Sequence, residues 1–416
     1  MKRHIYIWLV ILACSCKVPY QPPVTTTAFN YLVVDGVINS STAAGDSTLI
    51  KLSRTFKIST SPVTNPELHA QVSVEDAANN SYALQDAGKG NYVAGPLGLD
   101  GSKQYRLRIK TSDNRMYLSD LVAVKPTPPI DSIGFTASPN QLIIYANTHD
   151  ATNNTRYYRW DYTETWEFHP PYSPYWISNG TKIVPITPAQ ALQMHTCWRG
   201  AISTDIILAS SKQLTQDVIY QTPIAYIPST SQKLSVEYSI QLKQYAVTED
   251  EYTFWQQTKK NTEQLGSIFD ALPSQINGNI HCVTNPAEPV FGYVSITNIQ
   301  VKRVFIFRNQ LPASYTYIDN ACTTPDTAIY QAFKSFYVAT YRALNDYPVV
   351  ENDLIPLSSS AGPVDSITLP PPFKLRTGPP FFIPGPYPGA AGYFTEPKTC
   401  IDCRLFGTSV KPPYWK

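Results

Sequence analysis

Between Tyr31 and Ser119 the chain changes direction too often to be anything but β. Apolar and polar residues alternate in short runs, each closed by a turn. The runs are Tyr31-Leu32-Val33-Val34-Asp35-Gly36-Val37-Ile38-Asn39, Thr48-Leu49-Ile50-Lys51-Leu52-Ser53-Arg54-Thr55, Gln71-Val72-Ser73-Val74-Glu75-Asp76, Tyr82-Ala83-Leu84, Asn91-Tyr92-Val93-Ala94, Gln104-Tyr105-Arg106-Leu107-Arg108-Ile109-Lys110 and Met116-Tyr117-Leu118-Ser119. Ala78-Asn79-Asn80 and Ala87-Gly88-Lys89-Gly90 supply turns, and Gly36 marks a candidate bulge. Roughly seven strands at this spacing predict an immunoglobulin-like β-sandwich over residues 29–124. Pro126-Thr127-Pro128-Pro129 then reads as a linker.

Residues 125–416 form a larger, less regular part. Gln141–Ala146 and Arg156–Trp166 read as paired strands, and Val236–Tyr245 as another. Phe291–Ile296 and Gln300–Phe307 read as a hairpin. Thr187-Pro188 is a helix start with proline at the first helical position. Thr248-Glu249-Asp250-Glu251 matches a capping box for a helix from about Glu249 to Gln264, stopped by Gly266. Tyr252, Trp255 and Lys259 share one face of it, as packing residues do. Residues 361–395 hold Leu369-Pro370-Pro371-Pro372-Phe373 and Phe381-Phe382-Ile383-Pro384-Gly385-Pro386-Tyr387-Pro388, a long loop that cannot enter central strands. The expected class is mainly β: an immunoglobulin-like sandwich, then a β-rich domain with one or two short helices. Charged residues at 15%, 28 tyrosines and 36 prolines suit strands, turns and ordered loops.

The N-terminus fixes a compartment. Met1-Lys2-Arg3-His4 is basic, and Ile5–Ala13 is an apolar run of export-signal length, well short of the roughly 20 residues that span a bilayer. The run ends in Ala13-Cys14-Ser15-Cys16, a lipobox-like site, so residues 1–15 read as a lipoprotein signal peptide. Local spacing slightly favours Cys14 as the lipidated residue, with Cys16 the competitor. Residues 16–28 read as a polar, proline-bearing tether. The whole chain carries 33 basic and 31 acidic residues. Loss of Lys2 and Arg3 leaves the mature protein neutral, without the basic stripe that nucleic-acid binding requires.

Cys197, Cys282, Cys322, Cys400 and Cys403 follow. In an exported chain they are disulfide candidates, and their odd number leaves at least one thiol free or paired between chains. Cys400-Ile401-Asp402-Cys403 has CxxC spacing without the strand-then-helix context of a redox site, so a structural bridge in or near the C-terminal tail is expected. His195-Thr196-Cys197 with His281-Cys282 is the sharpest metal candidate, but its spacing is no known zinc pattern, and an oxidising compartment favours a Cys197–Cys282 bridge or bridges to the C-terminal cysteines; no metal and no cofactor are expected. Asp161, Glu164 and Glu167 lie along one strand and read as a solvated face or cross-strand ion pairs rather than a glycosidase pair. No HExxH, GxSxG or GxxxxGK[ST] occurs. In His169-Pro170-Pro171-Tyr172-Ser173-Pro174-Tyr175-Trp176, the aromatics Tyr172, Tyr175 and Trp176 are the candidate ligand or partner contacts.

Several segments resemble a large Bacteroidota lipoprotein family, domain of unknown function 4249. They are Tyr31–Gly36 with Leu52–Thr55, Gly266–Cys282, Glu288–Val294 with Lys302–Ile306, and Cys400–Thr408 with Lys411–Trp415. The resemblance implies an outer-membrane lipoprotein associated with a TonB-dependent transporter in nutrient capture, with no established catalytic residues. Its cysteine-then-Pro-Tyr start is similar to Cys16-Lys17-Val18-Pro19-Tyr20 and favours Cys16 as the anchor. The expected role is thus non-enzymatic binding or accessory work on a lipid anchor. The alternatives are a structural or adhesive lipoprotein and an extracytoplasmic hydrolase. The ligand, and which face of the outer membrane is occupied, stay open.

Overall fold

The computed structural model describes residues 30–56, 65–172, 176–178, 183–185, 187–263, 276, 278–319, 322, 326–329, 392–395 and 398–416. The expected signal, the tether and most of the Pro-rich stretch 361–395 lie outside the described residues. The strands of the first part are β1 (Leu32–Asn39), β2 (Thr48–Arg54), β3 (Gln71–Asp76), β4 (Ser81–Gly88), β5 (Asn91–Ala94), β6 (Gln104–Lys110), β7 (Met116–Ser119) and β8 (Val122–Ala123). Beyond the linker come β9 (Ile130–Ala137), β10 (Gln141–Asp150), β11 (Tyr157–Phe168), β12 (Trp176–Ser178) and β13 (Ile183–Pro185). Helix α1 (Pro188–His195) precedes β14 (Cys197–Ile202), β15 (Ile207–Ser210), β16 (Asp217–Pro228) and β17 (Glu237–Ala246). Helix α2 (Glu249–Glu263) precedes β18 (Ile280–Cys282), β19 (Ile296–Thr297), β20 (Gln300–Phe307), β21 (Asp326–Ile329) and β22 (Gly392–Thr395). The chain is mainly β.

The first body is one ten-stranded sheet in the order β18-β7-β6-β3-β4-β5-β2-β1-β19, with β8 on β6. Period-two alternation turns Ile50 and Leu52 of β2, and Tyr105, Leu107 and Ile109 of β6, into a common core. At Gly36, an added Cβ would lie 2.3 Å from the Leu49 carbonyl oxygen, so glycine permits the close β1–β2 approach. Both ends of the sheet are completed from far along the chain. β18 pairs antiparallel with β7, and β19 pairs parallel with β1. The returning stretch adds Ile280, Val290, Val294 and Ile296 to the core. At about 2 kcal/mol per buried aliphatic side chain, that contact is a major part of this body's cohesion.

An ionic clamp holds the return in place. Glu288 accepts from Tyr117 Oη at 2.7 Å and from Arg115 Nη1 at 3.1 and 3.2 Å, and Arg54 Nη1 stands 3.5 Å away. Arg54 also pairs with Glu67 at 2.5 Å. Burial, followed by the bond to Glu288, pushes the Tyr117 hydroxyl up to about 12.

The second body is a sandwich. A three-stranded sheet, β16-β10-β9, faces a five-stranded sheet, β14-β11-β17-β20, with β15 on β11. Leu142, Ile144 and Ala146 of β10 meet Tyr158, Trp160, Ile240 and Leu242 across the core. Polar staples cross it: Gln244 accepts from Trp160 Nε1 and donates to Thr148 Oγ1 and the Pro128 carbonyl, and Tyr158 Oη donates to Asp217 Oδ2 at 2.7 Å. Two expected pairings change. β10 and β11 lie in opposite sheets, and residues 291–307 are no hairpin, because β19 joins the first body while β20 pairs with β17. β10 instead pairs with β9 across the short turn at 138–140 and with β16 on its other side, while β19 and β20 each pair with a strand far away in the sequence.

Both expected helices form. Thr187 caps α1 in a capping box with Gln190, with Pro188 in the first turn. In α2 the amide of Glu251 donates to Thr248 Oγ1, but its carboxylate turns inward and accepts from Trp255 Nε1 and Ser295 Oγ. Trp255 and Tyr245 sandwich the Arg159 guanidinium at 4.6 and 4.5 Å, while Phe254 meets Tyr293 at 5.4 Å. The helix therefore touches both the second body and the segment that returns to the first.

Candidate functional site

The inner residues of β16 are Ile219, Ile224, Ala225 and Ile227. A regular strand would not place that set on one face. Two register shifts against β10, between Ile144 and Tyr145 and between Ala146 and Thr148, absorb the extra residues. Their effect is to bring Tyr220, Pro223 and Tyr226, three residues apart, to the outer face. Tyr226 then lies opposite Ile143, Pro223 opposite Tyr145, and Tyr220 at the shift beside Asn147. Gln221 takes φ +50°, a conformation non-glycine residues adopt rarely, and its amide is held by Asn147 Oδ1 at 2.7 Å. β-bulges of this kind commonly re-aim side chains at functional surfaces.

Tyr145, on the central strand, completes the row. A Cβ on Gly134 of β9 would fall 2.6 Å from the Tyr145 ring, so glycine leaves room for the ring to lie down on the sheet. Tyr220 and Tyr226 are 74% and 59% exposed, far beyond what core packing asks of tyrosine. Polar groups border the rings: Asn147 Nδ2 donates to Ser132 Oγ at 2.8 Å, and Thr136 flanks Ile143. The only charged pair in these rows is His149 Nδ1 with Asp131 Oδ2 at 2.8 Å, compensated internally, and the bond to Asp131 raises the His149 imidazole. The face offers aromatic planes, amides and hydroxyls, which is binding chemistry.

The other singled-out residues lie elsewhere. Cys197 bonds to Cys403 rather than to Cys282, and Cys322 to Cys400, so the two ends of the CxxC take different partners; among the described residues Cys282 is the free thiol, buried and in contact with Thr284 and Glu288. The Cys197–Cys403 bridge ties the C-terminal segment to β14 within the second core, and Cys322–Cys400 packs beside Met194 and Ile401. Further along that segment, Trp415 packs on Trp198 and Phe305, and Arg303 stacks on Tyr414 at 3.7 Å. The histidines of the metal candidate are dispersed: His195 packs on His169 at 4.6 Å, whereas exposed His281 pairs with Asp120. Along β11, Glu164 points inward to Lys233 and Tyr238, and Asp161 and Glu167 point outward. Tyr172 is turned in, packed on the Cys322–Cys400 cluster, with its hydroxyl donating to the Cys322 carbonyl at 3.0 Å. Cys14, Cys16, Tyr175 and the Trp176 side chain lie outside the described residues.

A family model described as Domain of unknown function (DUF4249) matches residues 17–303. The chain belongs to this family. The DUF4249 match begins immediately after Cys16, spans both bodies and ends within β20. No curated protein sequence matches the chain. Among solved structures it is similar to one described as manganese lipoxygenase of Gaeumannomyces graminis with partial zonadhesin of Komagataella pastoris. That likeness has 12% identity over 54% of this chain and 90% of the other, with a TM-score of 0.16, too low to carry an argument.

The tyrosine face was not among the sequence candidates. Its signal is a Tyr-x-x-Pro-x-x-Tyr spacing from 220 to 226, which matches neither a period of two nor one of 3.6. Glu288, Arg54 and Arg115 gave no local signal either, because their contact spans more than 170 positions.

Proposed function

We propose that this DUF4249 protein is an outer-membrane lipoprotein, anchored through Cys16, that binds a ligand as a non-enzymatic partner of a TonB-dependent transporter. The observation that carries the binding role is the exposed tyrosine face on the doubly bulged β16. Three further features support the reading. The signal-and-lipobox sequence would place a lipid at Cys16. The family match starts at the next residue. Two disulfides suit an exported chain. An anchor and tether would hold the body near a membrane transporter while the sheet face stays accessible.

The test has two steps. Radiolabelled palmitate should enter the wild-type chain and not a Cys16→Ala variant; labelling that persists in C16A and vanishes in C14A would move the anchor. The lipoprotein should then be purified from detergent-solubilised outer membranes. Stoichiometric recovery with a transporter barrel is expected, and consistent recovery alone would refute the partnership.

A further inference from the structure

We infer that the Tyr220–Tyr145–Tyr226 face is a glycan site that takes a short run of neutral sugar rings. The inference rests on the binding role proposed above and names its ligand class. The rows at Ile143, Tyr145 and Asn147 follow one another at roughly 6.8 Å, so Tyr226 and Tyr220 stand roughly 13 to 14 Å apart along the sheet with Tyr145 between them. Such a row is long and shallow. It suits a linear chain of rings laid along the sheet and offers no deep hole for one compact ligand.

The chemistry selects further. Tyrosine ring faces carry partial negative charge and attract the polarised C–H groups on the flat face of a sugar. Hydroxyls at the sugar edge need donors and acceptors, and Asn147, Ser132, Thr136 and Gln221 border the rings with both. Charge complementarity is met by a neutral ligand, because the one ion pair of these rows, His149 with Asp131, is already neutralised. An anionic polymer would find no unpaired cation among Tyr145, Asn147, Tyr220, Pro223 and Tyr226. A hydrophobic protein partner would bury the exposed Thr136 hydroxyl and Gln221 side-chain amide without supplying them hydrogen-bond partners.

The full mature chain, purified in detergent, is run by affinity electrophoresis in gels containing xyloglucan, galactomannan, mixed-linkage β-glucan or amylopectin, with polygalacturonate as the acidic comparison. At least one neutral polymer should retard the wild-type chain. Apparent Kd should rise about tenfold in Y220A and in Y226A, the size of one lost aromatic contact. Y226F should bind like wild type, since the ring face suffices. Both tyrosines are mostly exposed, so unchanged circular dichroism is expected and separates lost binding from lost fold. Retardation by none of the neutral polymers, by polygalacturonate alone, or equally in the Y220A/Y226A double variant overturns the assignment. The outcomes separate from those of the broader reading. A chain that recovers its transporter but binds no neutral glycan refutes the ligand class alone. One that binds glycan through the tyrosines but never recovers a transporter refutes the partnership alone.

Discussion

Replacing Glu288 with alanine should loosen the first body where residues 278–297 return to it. The Glu288 side chain is 6% exposed and faces two guanidinium groups and a tyrosine hydroxyl. Removing one member of a buried ionic group costs about 3–5 kcal/mol, because the remaining charge stays desolvated. Here the loss belongs at the lower end. Arg54 keeps Glu67, and Arg115, 38% exposed, can rehydrate. Tyr117 loses its acceptor, worth about 1 kcal/mol. The expected total is about 3–4 kcal/mol, whereas Arg115→Ala should cost about 1 kcal/mol or less. The two bodies need not unfold together, so a urea curve followed by circular dichroism is best paired with hydrogen exchange. Protection should fall first at the amides of β18 and at Val283, which bond to β7 and Met116. A loss below about 1 kcal/mol, or exchange that quickens evenly over both bodies, would refute the clamp.

Three further outcomes are expected. Converting Cys197 and Cys403 to alanine should destabilise the second body by up to about 5 kcal/mol in urea titrations, the loop-closure value for a bridge across 206 positions; unchanged midpoints would refute it. At Asp150, burial works upward, but bonds from Thr152, Thr155 and Asn154 overcome it and hold the carboxyl at about 2. Its contribution is complete above the ordinary 3.8 and lost as pH falls toward about 2, so Asp150→Asn should flatten that stretch of the stability–pH curve. Glu251 is the opposite case: burial raises its carboxyl above 4.5, so its contribution is present below that pH and lost as pH rises through the raised value. Glu251→Gln should be the more stable protein at neutral pH, and equal stability at pH 4 and pH 8 in the wild type would contradict the raised value.

Strands and caps were legible wherever the signal is local. β2 and β6 follow their alternation, and Thr187-Pro188 and Thr248 begin helices as their side chains dictate. Partner choice was not legible. Residues 291–307 carry the pattern of a hairpin, yet Ile296 pairs with Ile38 of β1 and joins the first core, while Val304 pairs with Ile240 of β17 and packs against the second. The tyrosine face was hidden for a related reason. A bulge is a property of two strands together, so the phase of β16 cannot be read before β10 is beside it. Tyr172 shows the converse, an aromatic in a loop that looked available and is spent on packing the Cys322–Cys400 bridge.

The return of β18 and β19 also sets a schedule. Whether emerging from the ribosome or from a secretion channel, the chain appears N-terminus first. Until residues 280–282 have appeared β7 is a bare margin of the unfinished sheet, and until residue 297 has appeared β1 is one. Bare margins recruit strands from other molecules. The first segment to appear is therefore among the last to be finished, and a fragment cut at the linker would keep its exposed edges permanently. Cys282 ends β18, so its thiol is accessible from its appearance until that strand docks and is shielded afterwards. The rate at which Cys282 becomes unreactive to a small alkylating agent would time the moment the first body closes at this edge.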